Sequence, residues 1–101
     1  MSDLSLRTQQ LIEHLIKSDA RLAVGEKLTR ECSAEAVGCA RWTREEMERI
    51  HFAILKLGAK ADYTFDSAIL LAKTDWRDLL MAASFGEDLE AHNKWWHSNV
   101  S

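Results

Sequence analysis

Residues 43–58 read TREEMERIHFAILKLG, and no other stretch of the chain has so clear a helix start. Thr43 and Glu46 form a Thr-x-x-Glu capping box, in which each side chain accepts a hydrogen bond from the backbone N–H of the other residue. Gly58 is the expected left-handed stop. The pattern predicts a helix over about residues 43–57. Its buried stripe consists of Met47, Ile50, Ile54 and Leu57.

Three shorter helices are predicted after this one, over about residues 64–73, 75–85 and 88–96. The first of the three is apolar on two faces, which is typical of a central helix. Thr74 or Asp75 caps the second, and Gly86 ends it. The two apolar faces consist of Phe65, Ala68, Ile69 and Ala72 on one side and Leu70 and Leu71 on the other.

A helical hairpin over residues 5–32 is predicted before the capping box. Asp19 is expected to cap its second helix, and a connection this tight favours two antiparallel helices. Residues 33–41 form a loop with Gly38 at its tip. The facing stripes consist of Leu11, Ile12, Leu15 and Ile16 on the first helix and Ala20, Val24, Leu28 and Cys32 on the second.

The composition indicates one folded domain over residues 1–101. A chain of 101 residues, 47% of them hydrophobic, can bury a single core without disulfides or metals. Apolar spacing is helical throughout, with no strand-like alternation. We therefore expect an all-α fold, a compact bundle of five or six short helices.

The charge balance disfavours nucleic-acid binding. The chain has 13 basic and 16 acidic residues, for a net charge of −3, whereas phosphate binding needs a concentrated basic face. A helix-turn-helix motif at residues 64–85 is an alternative. Its recognition helix would carry Arg77 as its one basic residue, with Asp75 and Asp78 at the end that meets the DNA backbone. We keep nucleic-acid binding only as a disfavoured alternative.

The chain is expected to be cytoplasmic and not inserted in a membrane. Its first residues, MSDLS, are polar and lack the features of a signal peptide. Apolar runs such as residues 68–72 are far too short to cross a bilayer. The two cysteines, Cys32 and Cys39, are too few for a disulfide framework.

His51 is the titratable residue best placed for chemistry. It falls on an apolar stripe, where burial shifts a histidine pKa. We favour the interpretation of a core histidine bonded to a backbone carbonyl, because spacing identifies no nucleophile or carboxylate partner. His92 and His97 are five residues apart, on different helical faces, and the cysteines lack zinc-type spacing. We predict no catalytic residue, no metal and no cofactor.

Adjacent tryptophans near the C-terminus indicate a binding surface. Trp95 and Trp96 point about 100° apart on a helix, so one indole can stay exposed, as at interaction hot spots. The alternative is that both cover the core. With Arg77 and His92 they form the predicted interaction surface. The leading hypothesis is a protein–protein interaction or regulatory module that binds a protein partner or a second copy of itself. We predict that Trp95→Ala or Trp96→Ala weakens this association and leaves the fold intact.

A different class of function stays open. The chain is alternatively a small-ligand-binding protein or a small enzyme with an interhelical pocket near His51. In that case Arg77 is a candidate anion anchor. The sequence leaves open whether the first hairpin packs on the remaining helices.

Overall fold

A computed structural model describes residues 4–59, 64–86 and 90–100. In these residues there are six α-helices and no strand, which confirms the predicted all-α class. The helices are α1 (Leu6–Leu15), α2 (Arg21–Glu31), α3 (Arg44–Gly58), α4 (Phe65–Thr74), α5 (Trp76–Ala82) and α6 (Ala91–Val100).

The central helix of the bundle is α3, which packs against α1, α4, α5 and α6. Its capping box forms as predicted. The Thr43 N–H donates to Glu46 Oε1 over 3.0 Å, and the Glu46 N–H donates to Thr43 Oγ1 over 3.2 Å. Residues 50–55 are buried on every side because neighbouring helices surround them. By contrast, α4 is less enclosed than predicted, since Leu70 on its second apolar face is 65% exposed.

The α1–α2 hairpin packs on the rest of the bundle, with α1 against α3 and α2 against α4. The turn inside it differs from the prediction, because the N-cap of α2 is Ala20 rather than Asp19 and makes no side-chain capping bond. Arg21 stabilises this turn instead. Its guanidinium donates to the carbonyl oxygens of Ile16 (2.8 Å) and Glu13 (2.6 Å), and carbonyls at a helix end have no partner within the helix.

The predicted left-handed stop at Gly58 is wrong. Helix α3 includes Gly58 and is capped by Ala59 in a right-handed conformation. The glycine is needed for a different reason, because the ring of Phe65 occupies the space that a Cβ at position 58 would take. Absence of a side chain therefore lets the first residue of α4 pack directly on the end of α3.

The end of α5 also differs from the prediction. The helix stops at Ala82 instead of Phe85, and Ser84, not Gly86, takes the left-handed conformation, with φ of 65°. The Phe85 N–H then donates to the Leu80 carbonyl over 2.8 Å, which turns the Phe85 side chain into the core. Gly38 does adopt a left-handed conformation, with φ of 82°, in the predicted loop.

The last helix is shifted relative to the prediction. It was expected over 88–96, whereas α6 runs from Ala91 to Val100. Residues 88 and 89 of that expectation lie outside the described residues. Among the helices of the described residues, none is both long enough and apolar enough to cross a membrane.

Candidate functional site

A pocket of about 320 Å³ lies beside His51, at the lower end of the volumes typical of small-molecule sites. It is enclosed by the C-terminal end of α2, the loop that follows it and the first half of α3. Polar atoms come from Thr29, Ser33, Glu35, Thr43 and His51, and apolar walls from residues that include Leu28, Trp42 and Met47.

His51 lines this pocket from α3 and is only 3% exposed. Its Nε2 lies 2.8 Å from the carbonyl oxygen of Cys32, and because a carbonyl only accepts, Nε2 carries the proton and donates. Burial lowers the pKa of His51 below its usual 6.5, against a smaller opposing effect of that hydrogen bond. The ring is therefore neutral near pH 7. Its Nδ1 is a buried acceptor without a partner among the described residues.

The other polar groups of the pocket add acceptors and hydroxyls. Glu35 supplies a carboxylate from the loop. The Ser33 and Thr43 hydroxyl oxygens each accept one backbone N–H over 3.2 Å, and each hydroxyl also has a proton to donate. Among the described residues, no lysine or arginine lines the pocket. This set of groups favours a neutral or cationic molecule over an anion.

Trp42 forms a wall of the pocket and is held from outside by a second tryptophan. The Trp42 and Trp76 ring centroids lie 4.8 Å apart in an edge-to-face arrangement. This is one of the arrangements that aromatic pairs prefer. The Arg77 guanidinium lies 5.3 Å from the centroid of Trp76. Arg77 is exposed at the start of α5 and is not among the residues that line the pocket. The hypothesis that Arg77 anchors an anion in the pocket therefore gains no support from its position.

Neither cysteine is suited to nucleophilic chemistry. Burial raises the pKa of Cys32 to about 12, with a smaller contribution from Glu31. Burial also raises the pKa of Cys39. Because the thiolate is the reactive form, both side chains are protonated core groups near pH 7. Within the described residues, no three His, Cys, Asp or Glu side chains are grouped so that they could hold a metal ion.

A second concave surface, of about 770 Å³, lies between α1 and α2. We call it the α1–α2 groove; its apolar lining is Leu4, Ile12 and Leu22. Leu22 is 75% exposed. Gly25 lies one turn further along α2, and open space surrounds the position that its Cβ would occupy. A projecting apolar side chain and an open space therefore lie side by side on one helix.

Charged residues of both signs surround the α1–α2 groove. Glu13 and Glu26 are acidic, and Arg21 and Arg30 are basic. The two signs balance, so the groove does not select strongly for an acidic or a basic partner. A partner that itself carries both signs fits this rim.

The predicted tryptophan surface packs largely on the core. The Trp95 ring centroid lies 6.0 Å from that of Phe52 and 5.8 Å from that of Phe85. The Trp96 Nε1 donates to the Arg7 carbonyl oxygen over 3.4 Å. Both indoles are half-buried, because covering their large apolar rings stabilises the docked helix. Their role in binding a partner stays a prediction.

The other two residues of that predicted surface, His92 and Arg77, do not form an exposed site with the tryptophans. His92 is 9% exposed and lies edge-on to Phe52 and Phe85. Burial lowers its pKa, and the positive charge of Arg7 lowers it further. Arg77 lies instead against Trp76 at the start of α5.

Sequence reasoning missed a buried polar cluster around Glu48, which is 5% exposed. Its Oε2 accepts a hydrogen bond from the Ser5 hydroxyl over 2.6 Å, and its Oε1 lies 3.7 Å from Arg7 Nη1. Arg7 also donates to Asn93 Oδ1 over 2.7 Å, and its guanidinium lies 4.6 Å from the Trp96 ring centroid. The cluster joins α1, α3 and α6, and within it Arg7 Nε is buried without a hydrogen-bond partner among the described residues.

One signal in the sequence does point to Glu48. Phe52 and Leu55 follow it at spacings of four and seven residues, so all three share a helical face that is apolar except for the glutamate. That face lies outside the stripe of Met47, Ile50, Ile54 and Leu57, and its burial depends on α1 and α6. The sequence alone therefore does not show that the carboxylate is buried.

Comparison with protein-family models, with curated proteins and with solved structures finds no match to this chain.

Proposed function

We propose that this protein is a self-associating interaction module whose binding surface is the α1–α2 groove. The observation that carries the proposal is Leu22, which is 75% exposed beside the open apolar groove. Burying a leucine side chain contributes about 1.5–3 kcal/mol, so exposure of this kind favours association. The occupant of the groove is a second copy of the chain.

Self-complementarity supports a second copy over an unrelated partner. A two-fold interface uses the same surface on both subunits, so each projection must meet a space on that same surface. Leu22 and the open position at Gly25 meet this requirement. When two α2 helices pair antiparallel about an axis between residues 23 and 24, Leu22 of each copy lies over Gly25 of the other.

The charges beside the apolar centre are compatible with the same arrangement. Arg21 and Glu26 lie on either side of the Leu22–Gly25 face of α2, so charged groups flank the apolar centre on each copy. The two bonds from Arg21 to the end of α1 use two of the five N–H donors of its guanidinium. Rim contacts of this kind contribute register and specificity more than affinity.

The test is sedimentation equilibrium of the wild type and three variants over concentrations up to about 1 mM. We expect a reversible monomer–dimer equilibrium. Leu22→Glu and Gly25→Met should each weaken it at least about tenfold, since one adds a buried charge and the other fills the space. Leu70→Glu is the matched control, because Leu70 is 65% exposed but lies on α4.

Two outcomes would contradict the proposal. One is a wild type that stays monomeric at every concentration. The other is a dimer that Leu70→Glu weakens as much as Leu22→Glu does. Position 25 has open space around it, so Gly25→Met is compatible with the folded monomer, and far-UV circular dichroism verifies that each variant remains helical.

A further inference from the structure

We propose that the pocket beside His51 binds a small organic amine in its ammonium form, with the Glu35 carboxylate and the Trp42 ring as recognition groups and His51 as a hydrogen-bond acceptor. The pocket opens between α2, the following loop and α3, and it adjoins the α1–α2 groove, with which it shares Leu4 and Thr29. The inference rests on the groups of the pocket and not on self-association.

The protonation state of His51 shows that the pocket lacks a hydrogen-bond donor for one of the ring nitrogens. The bond from Nε2 to the Cys32 carbonyl leaves Nδ1 as an acceptor, and this atom is buried without a partner among the described residues. A buried acceptor without a hydrogen bond destabilises the folded chain. A ligand with N–H donors removes that destabilisation, whereas an apolar ligand of the same size does not.

The charge of the lining decides between an amine and an acid. Glu35 is the acidic residue of the pocket, and no lysine or arginine of the described chain lines it. A carboxylate ligand would therefore meet a like charge without a compensating cation. An ammonium group gains attraction from Glu35 and donates up to three hydrogen bonds.

Trp42 adds a second feature that favours a cation. It is a half-buried wall of the pocket, and its contact with Trp76 holds the ring in place. The face of an indole attracts cations through its negative electrostatic potential. Since the pocket has a volume of about 320 Å³, it accommodates an ammonium group together with a short apolar body against Leu28 and Met47.

Three probes that share a phenylethyl group test the proposal: 2-phenylethylamine, 2-phenylethanol and 3-phenylpropanoate. Each is titrated into the ¹⁵N-labelled full chain, and the His51 imidazole and Trp42 indole resonances are followed by NMR. We expect saturable shifts of both with the amine, with binding at least about threefold tighter than for the alcohol and weakest for the acid.

Two matched acid-to-amide variants test whether the Glu35 carboxylate binds the ammonium group. Glu35→Gln should weaken binding of 2-phenylethylamine about three- to tenfold. Asp78→Asn is the control, since Asp78 is an exposed acid at the start of α5 that does not line the pocket, and it should leave the affinity unchanged. Both variants keep side-chain volume, so the fold is retained.

Three results would overturn the inference. They are equal affinities for the amine and the acid, an amine titration that leaves the His51 and Trp42 resonances unmoved, and equal effects of Glu35→Gln and Asp78→Asn.

Discussion

At the scale of single residues, burial changes the chemistry of His51 and His92 more than any nearby charge does. His51 on α3 is buried beside the end of α2, and His92 on α6 packs against two phenylalanine rings. In both, loss of solvent is the largest cause of a lowered pKa. Folding therefore favours the neutral form of both side chains.

Stability should accordingly fall as the solution becomes acidic. The unfolded chain binds protons at its histidines with a pKa near 6.5, whereas the folded chain holds these two below that value. Their contribution is fully present above about pH 6.5 and is lost as pH falls through the folded pKa values. The free energy of unfolding should drop by up to about 1.4 kcal/mol per pH unit for each histidine.

Urea unfolding between about pH 7.5 and pH 5.5 measures this dependence. His51→Gln should flatten the slope by about half, because His92 still contributes. His14→Gln is a suitable control, since His14 lies on the exposed side of α1. Comparing slopes, not absolute stabilities, separates the protonation effect from any loss of packing. An unchanged slope in His51→Gln would contradict the assignment.

At the scale of elements, α6 is attached by two kinds of contact. Trp95 places its ring against Phe52 and Phe85. Arg7 on α1 donates to Asn93 and lies over the Trp96 ring. The apolar contact supplies most of the stabilisation, while the polar contacts fix the orientation of the helix.

We therefore expect Trp95→Ala to destabilise the fold, in contrast to the expectation drawn from the sequence that it only weakens association. Its ring is half-buried, so the loss should be about 2–3 kcal/mol, below the range for fully buried tryptophans. Hydrogen exchange followed by mass spectrometry should show that, relative to the wild type, exchange in the Trp95→Ala variant becomes faster across α6 by more than it does in α3. Ser98→Ala, an exposed site on the same helix, should leave exchange unchanged. Protection of α6 that survives Trp95→Ala would mean that the polar contacts alone hold it.

At the scale of the whole molecule, α3 connects both halves of the chain. It contacts α1 on one side and α4, α5 and α6 on the others. The buried side chains of all these helices form one continuous core. A molecule with one core and no independent subdomain is expected to unfold cooperatively.

Thermal unfolding should thus occur in a single transition with an enthalpy of about 70 kcal/mol at its midpoint. Far-UV circular dichroism reports all the helices, whereas tryptophan fluorescence reports the loop before α3, the start of α5 and α6. The two curves should coincide when recorded at one protein concentration, which has to be fixed because association raises the midpoint. An earlier transition seen by circular dichroism alone would show that the α1–α2 hairpin unfolds separately.

Much of the candidate site lay beyond sequence reasoning. The pattern identified His51 as a candidate because a histidine on an apolar stripe is visible locally. Its companions Glu35 and Trp42 come from a loop with no periodicity, and nothing in their spacing relates them to position 51. Leu22 belonged to no predicted stripe, and its 75% exposure beside the α1–α2 groove is a property of the folded bundle.

The sequence by itself determined the helical class, the capping box at Thr43 and the turn at Gly38. These depend on periodicity and on hydrogen bonds between residues a few positions apart, which any window of the chain contains. Tertiary structure alone decided that Glu48 is buried, that Gly58 makes room for Phe65, and that the tryptophans of α6 cover the core. Those outcomes depend on which surfaces of distant segments meet, because burial is a property of the assembled bundle and not of any one helix.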